Sequence, residues 1–311
     1  MQKHMDTHKI IKACRSLAVF VLLLSPVNYS ADTFASVYKY QDAKGRWQFS
    51  DKPPKDKTTK IETLEFEAAP ENPFELKFDY RMHNKQHIAD VLNPFHIPIE
   101  IQVRFEEYSQ LDTTLIVPSN SRETIYSGAA PTPHFTYRYV WGDPATKPSQ
   151  ANYRIPVRSP SRHYISQSFH GQFSHHTQPS LYAVDLALPI GTDIVAAREG
   201  TVIHVKDDYA FGGARTYFLD KANTVSVLHE DGSYATYAHL LMGSAVVKAG
   251  QTVAAGDVLG QSGTSGYSTG PHLHFVIRRN AGFKTKSIAF KFEDARGAFT
   301  PQRKQKICPC P

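Results

Sequence analysis

Apolar residues alternate with polar ones at a period of two over several stretches separated by proline, asparagine and serine, and that rhythm commits much of the chain to β-strands. Ile97, Ile99, Ile101, Val103 and Phe105 make one such run, Phe74, Leu76, Phe78 and Tyr80 a second, and Phe135, Tyr137, Tyr139 and Trp141 a third. Successive side chains of a strand point to opposite faces, so each run lays one apolar face against a core. A compact β-sandwich over residues 61–145 accommodates them. No pair of catalytic residue types stands out there, so the unit reads as a scaffold or binding module. The next stretch, Pro144 to Pro160, holds four prolines and reads as a boundary, with a linker over 146–163. Beyond it come short glycine-punctuated runs at 194–197, 201–205, 224–228, 234–237, 252–253, 258–259 and 274–277. They predict a mostly antiparallel β domain over 164–292 with little helix, followed by a C-terminal tail over 293–311.

The N-terminal end reads as a secretory signal over residues 1–35. Lys3, Lys9, Lys12 and Arg15 precede an apolar run from Leu17 to Leu24, with Pro26 and small residues near Ala31 and Ala35 behind it. Spanning a bilayer takes about 20 apolar residues, and this run is shorter. The expectation is therefore export to a periplasmic or secreted location, with no stable membrane span after cleavage. Cys14 precedes the apolar run, which does not support a lipoprotein cleavage site. Cys308 and Cys310 alone remain beyond the leader, too few for a disulfide-built scaffold, and Cys-Pro-Cys reads as part of a loose tail. Net charge is +6; removing residues 1–35 takes away four Lys/Arg and two Asp and leaves +4. That mild excess favours loose attraction to anionic polymers. No basic stripe interleaved with aromatics is present, so nucleic acid is not an expected partner. Residues 36–60 read as a small hairpin module and linker: Tyr38 and Tyr40 alternate, Asp42 to Gly45 supplies a turn, Trp47 and Phe49 alternate again, and Pro53-Pro54 closes the unit. Alternation makes these aromatics hairpin core. The string resembles a short envelope-protein module of no known function, which suggests docking to other envelope proteins.

The chemistry concentrates near the end of the chain. Pro271 can open a strand on which His272 and His274 share one face, and two imidazoles side by side suit one metal ion. His-x-His alone is a weak signal. Its company is more specific: Ser174-His175, Tyr182-Ala183-Val184-Asp185, Gly191-Thr192, Tyr237-Ala238-His239-Leu240, and Ser262 to Gly266, in this order. Together they resemble the LytM/lysostaphin-type zinc metallopeptidases, which cut peptide cross-links of bacterial cell walls. The resemblance implies a LytM-type antiparallel peptidase domain, and hence a mainly β chain in which a small hairpin module and a β-sandwich-like domain precede it. It also implies Zn2+ held by His175, Asp185 and His274, with His272 as general base and His239 orienting the attacking water or hydrogen-bonding the developing oxyanion, and peptidoglycan as substrate. Three protein ligands and one open position are what catalytic zinc requires. The commonest family pattern has its first histidine four residues before the aspartate, where this chain has Leu181. His175 is favoured over His176 for that role, with His170 further back. His204 and His229 have no motif support and read as exposed or structural. Gly270 is expected to allow a tight turn, and Gly263 and Gly266 to let backbone approach an extended substrate.

Two other readings stand beside the enzyme. Relatives that have lost ligands act as non-catalytic activators of other wall hydrolases, and the altered first-ligand spacing is the point in favour of that reading here. Val247 to Asp257 resembles the hairpins of lipoyl carriers, but no clear modified lysine sits at a hairpin tip. The segment from Tyr209 to Tyr217, with its aromatics and glycines, is placed to act as a lid.

Overall fold

A computed structural model describes residues 35–41, 45, 47–50, 60–66 and 75–308. The expected leader, Ala35 apart, lies outside the described residues, as do Cys310 and the side chains of Tyr38, Trp47 and Phe49. Strands dominate, and the helical pieces among the described residues are short turns at Ser109–Leu111 and Thr216–Phe218. No helix among them is long and apolar enough to cross a membrane.

The N-terminal module is a three-stranded antiparallel sheet. β1 (Ala35–Gln41) pairs with β2 (Trp47–Ser50) on one side and with β3 (Ile61–Phe66) on the other. Lys39 meets Glu62 across that second seam at 3.0 Å. β3 is therefore part of this module, and the sandwich expected to start at residue 61 begins later. Strand partners are chosen by tertiary pairing, which alternation alone does not encode.

The sandwich contains β4 (Lys77–His83), β5 (Gln86–Asn93), β6 (Ile99–Phe105), β7 (Thr113–Val117), β8 (Ser121–Gly128) and β9 (Phe135–Trp141). They form two three-stranded antiparallel sheets, β4-β5-β8 and β7-β6-β9. Ile97, Ile99, Ile101 and Val103 are fully buried between them, as their alternation requires. This core continues into the next unit: Ile203 and Tyr234 belong to it, and the Trp141 ring lies 6.1 Å from Tyr234 and 5.7 Å from His204. Buried Glu100 accepts hydrogen bonds from Asn280 Nδ2 (2.8 Å) and the Phe283 backbone N–H (2.7 Å). A buried carboxylate is tolerable only with such partners.

The remaining strands are β10 (Asn152–Arg154), β11 (Val157–Arg158), β12 (His163–Gln167), β13 (Val184–Ala187), β14 (Asp193–Val195), β15 (Gly200–Lys206), β16 (Thr224–Leu228) and β17 (Tyr234–Ala238). After them come β18 (Thr252–Val253), β19 (Val258–Gln261), β20 (His272–Asn280), β21 (Thr285–Ser287), β22 (Lys291–Asp294), β23 (Gly297–Phe299) and β24 (Lys306–Ile307). A nine-stranded sheet of order β18-β15-β16-β17-β20-β13-β12-β24, with β21 added to β20, carries the site. Leu273, Phe275 and Ile277 of β20 and Val184 and Leu186 of β13 are fully buried on its inner face. At roughly 1.5–3 kcal/mol for each such side chain, they lock the register that turns Asp185, His272 and His274 outward.

Two expected boundaries change here. Residues 146–163 are no simple linker, because β10 pairs with β22, β11 pairs with β14, and Tyr153, Ile155 and Val157 are core. Residues 293–308 are no tail: β24 pairs with β12, Ile307 is fully buried, and Cys308 is disulfide-bonded. Strands of two or three residues are too short to show a period, so nothing in these stretches announced them.

Candidate metal centre and its groove

One cross-strand rung builds the site. Thr224 of β16 pairs with Ala238 of β17, Ala238 with His274 of β20, His274 with Asp185 of β13, and Asp185 with Gln167 of β12. A bulge between Ile165 and Gln167 sets Gln167 opposite Asp185. Ile165 stays in the core while Gln167 faces the groove.

Three donor atoms converge at this rung. His274 Nδ1 lies 2.9 Å from Asp185 Oδ1, His175 Nε2 lies 3.2 Å from the same oxygen, and the two nitrogens are 3.3 Å apart. His175 comes from the loop ahead of β13 and is fully buried. The carbonyl of Ser168, 3.1 Å from His175 Nδ1, accepts its proton and leaves the Nε2 lone pair facing the cluster. Gln167 Nε2 donates to Asp185 Oδ2 (2.9 Å), which leaves Oδ1 for the centre. Burial alone would raise the Asp185 pKa, but the imidazoles of His175 and His274 outweigh it and hold the carboxyl well below its usual range. Burial also pushes the His274 pKa down, so this imidazole resists carrying the compensating positive charge itself. A lone pair facing a carboxylate oxygen at 3.2 Å repels it unless a cation lies between them. The donor set, two imidazole nitrogens and one carboxylate oxygen mutually within 4.8 Å, fits a metal ion.

Two further imidazoles stand beside the cluster. His272 Nδ1 donates to the Gly270 carbonyl (2.8 Å), and its Nε2 lies 3.8 Å from Asp185 Oδ1. His239 Nδ1 donates to the Ser265 carbonyl (2.7 Å), and its ring centre is 4.6 Å from that of His272. His239 has φ of 65°, a left-handed conformation that costs a non-glycine residue roughly 1–2 kcal/mol. That turn, one residue past β17, points the ring back over the sheet. Burial, with the neighbouring imidazoles of His272 and His274, depresses the His239 pKa to about 3. With Nδ1–H committed to the Ser265 carbonyl, Nε2 is the ring nitrogen left free.

Asp185, His239, His272 and His274 line a groove of about 1190 Å³, behind which His175 is buried, and the groove also includes the loops around residues 167–174, 267–271 and 300–303. Phe173 and Tyr267 stack across it at 5.9 Å. His176 is exposed and outside the cluster, and His170 lies on the wall. His229 is buried with Nδ1 donating to the Glu199 carbonyl (2.8 Å), and His204 is partly buried beside Trp141, so neither joins the site. The segment expected as a lid is pinned to the 262–266 loop, with Gly213 N–H donating to Gly266 O and Gly266 N–H to Phe211 O, each at 2.9 Å. None of residues 209–217 lines the groove; Leu219 and Ala222 just beyond them do. The glycine expectations also change. A Cβ at Gly263 would lie 2.7 Å from the Leu241 backbone nitrogen, so it is this chain, and no substrate, that approaches closely there. Gly270 has neither a positive φ nor a close neighbour. Sequence reading missed Gln167 and the carbonyls of Ser168 and Ser265, since a residue that acts through register or backbone carries no side-chain motif.

The chain is mainly β and brings a His-Asp-His donor set and two further histidines together at one groove. Residues 180–286 match the model of Peptidase family M23, and residues 20–74 match a domain of unknown function (DUF4124). The chain thus carries an M23 peptidase domain behind a DUF4124 module. Among its relatives, an uncharacterized metalloprotease of Haemophilus influenzae is 33% identical over 158 residues, covering 50% of this chain and 29% of the relative. The DD-carboxypeptidase/endopeptidase Mpg of Neisseria meningitidis serogroup B is 35% identical over 105 residues, covering 34% and 21%. Lysostaphin of Staphylococcus simulans is 36% identical over 95 residues, covering 30% and 17%. The chain therefore spans less than a third of the length of each of these relatives. Among solved structures, the catalytic domain of lysostaphin from Staphylococcus simulans matches at 25% identity over 45% of this chain and 88% of that one, with a TM-score of 0.29. The catalytic domain of the M23 protein EnpA from Enterococcus faecalis matches at 26% over 44% and 93%, with a TM-score of 0.32.

Proposed function

We propose that this protein is an exported, periplasmic or secreted zinc endopeptidase that hydrolyses peptide bonds in peptidoglycan stem peptides or cross-links, with a D-alanyl–diaminopimelate cross-link as the leading target. The observation that carries this reading is the convergence of His175 Nε2, Asp185 Oδ1 and His274 Nδ1 within 4.8 Å at an open groove that Asp185 and His274 line. Relatives named as an endopeptidase of the DD type and as a glycyl-glycine endopeptidase support the substrate class. Those three residues would hold the ion, and zinc when bound supplies a lowered water pKa and a polarised scissile carbonyl.

The chain supplies the proton handling. His272, with its Nδ1–H committed to the Gly270 carbonyl, keeps a lone pair at Nε2 beside the cluster and serves as general base, accepting the proton of the attacking water there. It then returns the proton to the departing amine. His239 Nε2, held neutral by burial, accepts a hydrogen bond from the water and fixes its direction. Gln167 holds Asp185 Oδ2 so that the carboxylate keeps one orientation. The rival non-catalytic reading draws on the long spacing between first histidine and aspartate, and the approach of His175 Nε2 to Asp185 Oδ1 at 3.2 Å supports the enzyme. The test is metal analysis of the purified protein together with digestion of purified murein before and after chelation. About one zinc per chain and chelator-sensitive peptide release are expected; a protein that releases no peptide in either state overturns the proposal.

A further inference from the structure

Alternation along β20 places Arg278 on the same face as His272 and His274, with buried Val276 between. Arg278 lines the groove, and the charged residues of that lining are Asp185, Arg278 and Arg303. Asp185 is taken up by the His-Asp-His cluster, so the charged residues left to the rest of the groove are cationic. Arg278 Nε donates to the Pro179 carbonyl (3.1 Å), and Nη2 reaches Ser180 Oγ at 3.5 Å. These contacts aim the guanidinium without neutralising it. No carboxylate lies within ion-pair distance of Arg278 among the described residues, and three of its five N–H donors stay uncommitted. Burial lowers its pKa, the mark of a cation that has lost water and gained no anion. Arg303 differs in being exposed on the rim, where solvent and salt screen it.

We propose that Arg278 forms a carboxylate-binding subsite that selects peptide substrates bearing a free carboxylate some residues from the cut bond. A guanidinium held by a backbone carbonyl can grip a carboxylate through two parallel hydrogen bonds, and a partly desolvated site strengthens them. Arg278 lies four residues from His274, roughly 13 Å along the strand. An extended peptide laid along β20 advances at the same rise, so the recognised carboxylate lies about three to five residues from the scissile position. This subsite rests on the groove being the peptidase cleft proposed above.

The test uses the full metal-loaded chain and synthetic stem-type peptides whose carboxylates are amidated one at a time. Wild type should cut the best acid substrate at least about tenfold faster in kcat/KM than its amidated partner, the discrimination expected of one charged contact. Arg278→Gln should bring that ratio close to one, Arg278→Lys should give an intermediate ratio because an ammonium cannot make the bidentate grip, and Arg303→Gln should keep the wild-type ratio. A wild-type ratio near one for every amidation, or an Arg278→Gln ratio equal to wild type, overturns the proposal. If Arg278→Gln fails to fold, the wild-type and Arg278→Lys ratios decide. If no peptide is cut at all, the peptidase reading fails separately, and calorimetric affinities of the same acid and amide peptides for the wild-type chain still decide whether the subsite exists.

Discussion

Replacing Gln167 with Met should weaken metal binding although Gln167 is not a ligand. The Gln167 amide donates to Asp185 Oδ2 (2.9 Å) and Ser174 Oγ (2.8 Å), and its oxygen accepts from the Phe173 backbone N–H (3.1 Å). Met has a similar length and makes none of these bonds. The carboxylate then loses the contact that holds Oδ1 toward the cluster, and the loop leading to His175 loses an anchor at the same time. Loss of such an outer partner typically costs 10–100-fold in metal affinity. At about 1.4 kcal/mol per factor of ten, that is roughly 1.4–2.8 kcal/mol. A single hydrogen bond to a charged group is worth about 1.5–3 kcal/mol, so the Asp185 contact alone accounts for the loss. The assay is zinc competition against a chromophoric chelator near neutral pH, with thermal unfolding of the chelated protein as a control. A Kd within about threefold of wild type would refute the claim that Asp185 needs this support.

Two further perturbations probe the proton chemistry and the fold. His272→Gln should lower peptide hydrolysis by about 10²–10⁴-fold while zinc stoichiometry is unchanged, because a general base contributes that much; loss of the metal instead would make His272 a ligand. Asp207, whose pKa burial raises to about 6, binds its proton more tightly folded than unfolded, so its charge costs nothing below about pH 4 and its full amount above pH 6. Asp207→Asn keeps an acceptor for the Ala245 N–H and should stabilise the protein by on the order of 2–3 kcal/mol at pH 8 and negligibly at pH 4, and equal gains at both pH values in denaturant titrations would contradict the assignment.

Alternation made the strands around Ile97 to Phe105 and His272 to Ile277 readable, because a strand that buries one face must repeat every two residues. The order of motif residues marked His175, Asp185, His239, His272 and His274 for the same reason that any functional side chain is readable: its type is required. Pairing was not readable. That β3 joins β1, that β10 pairs with β22 and β24 with β12, and that Gln167 stands opposite Asp185 depend on hydrogen bonds between segments far apart in the chain, and backbone donors and acceptors are the same at every residue. His175 and His176 are likewise equivalent as letters. Only the folded loop, with the Ser168 carbonyl at His175 Nδ1, buries one beside Asp185 and leaves the other in water.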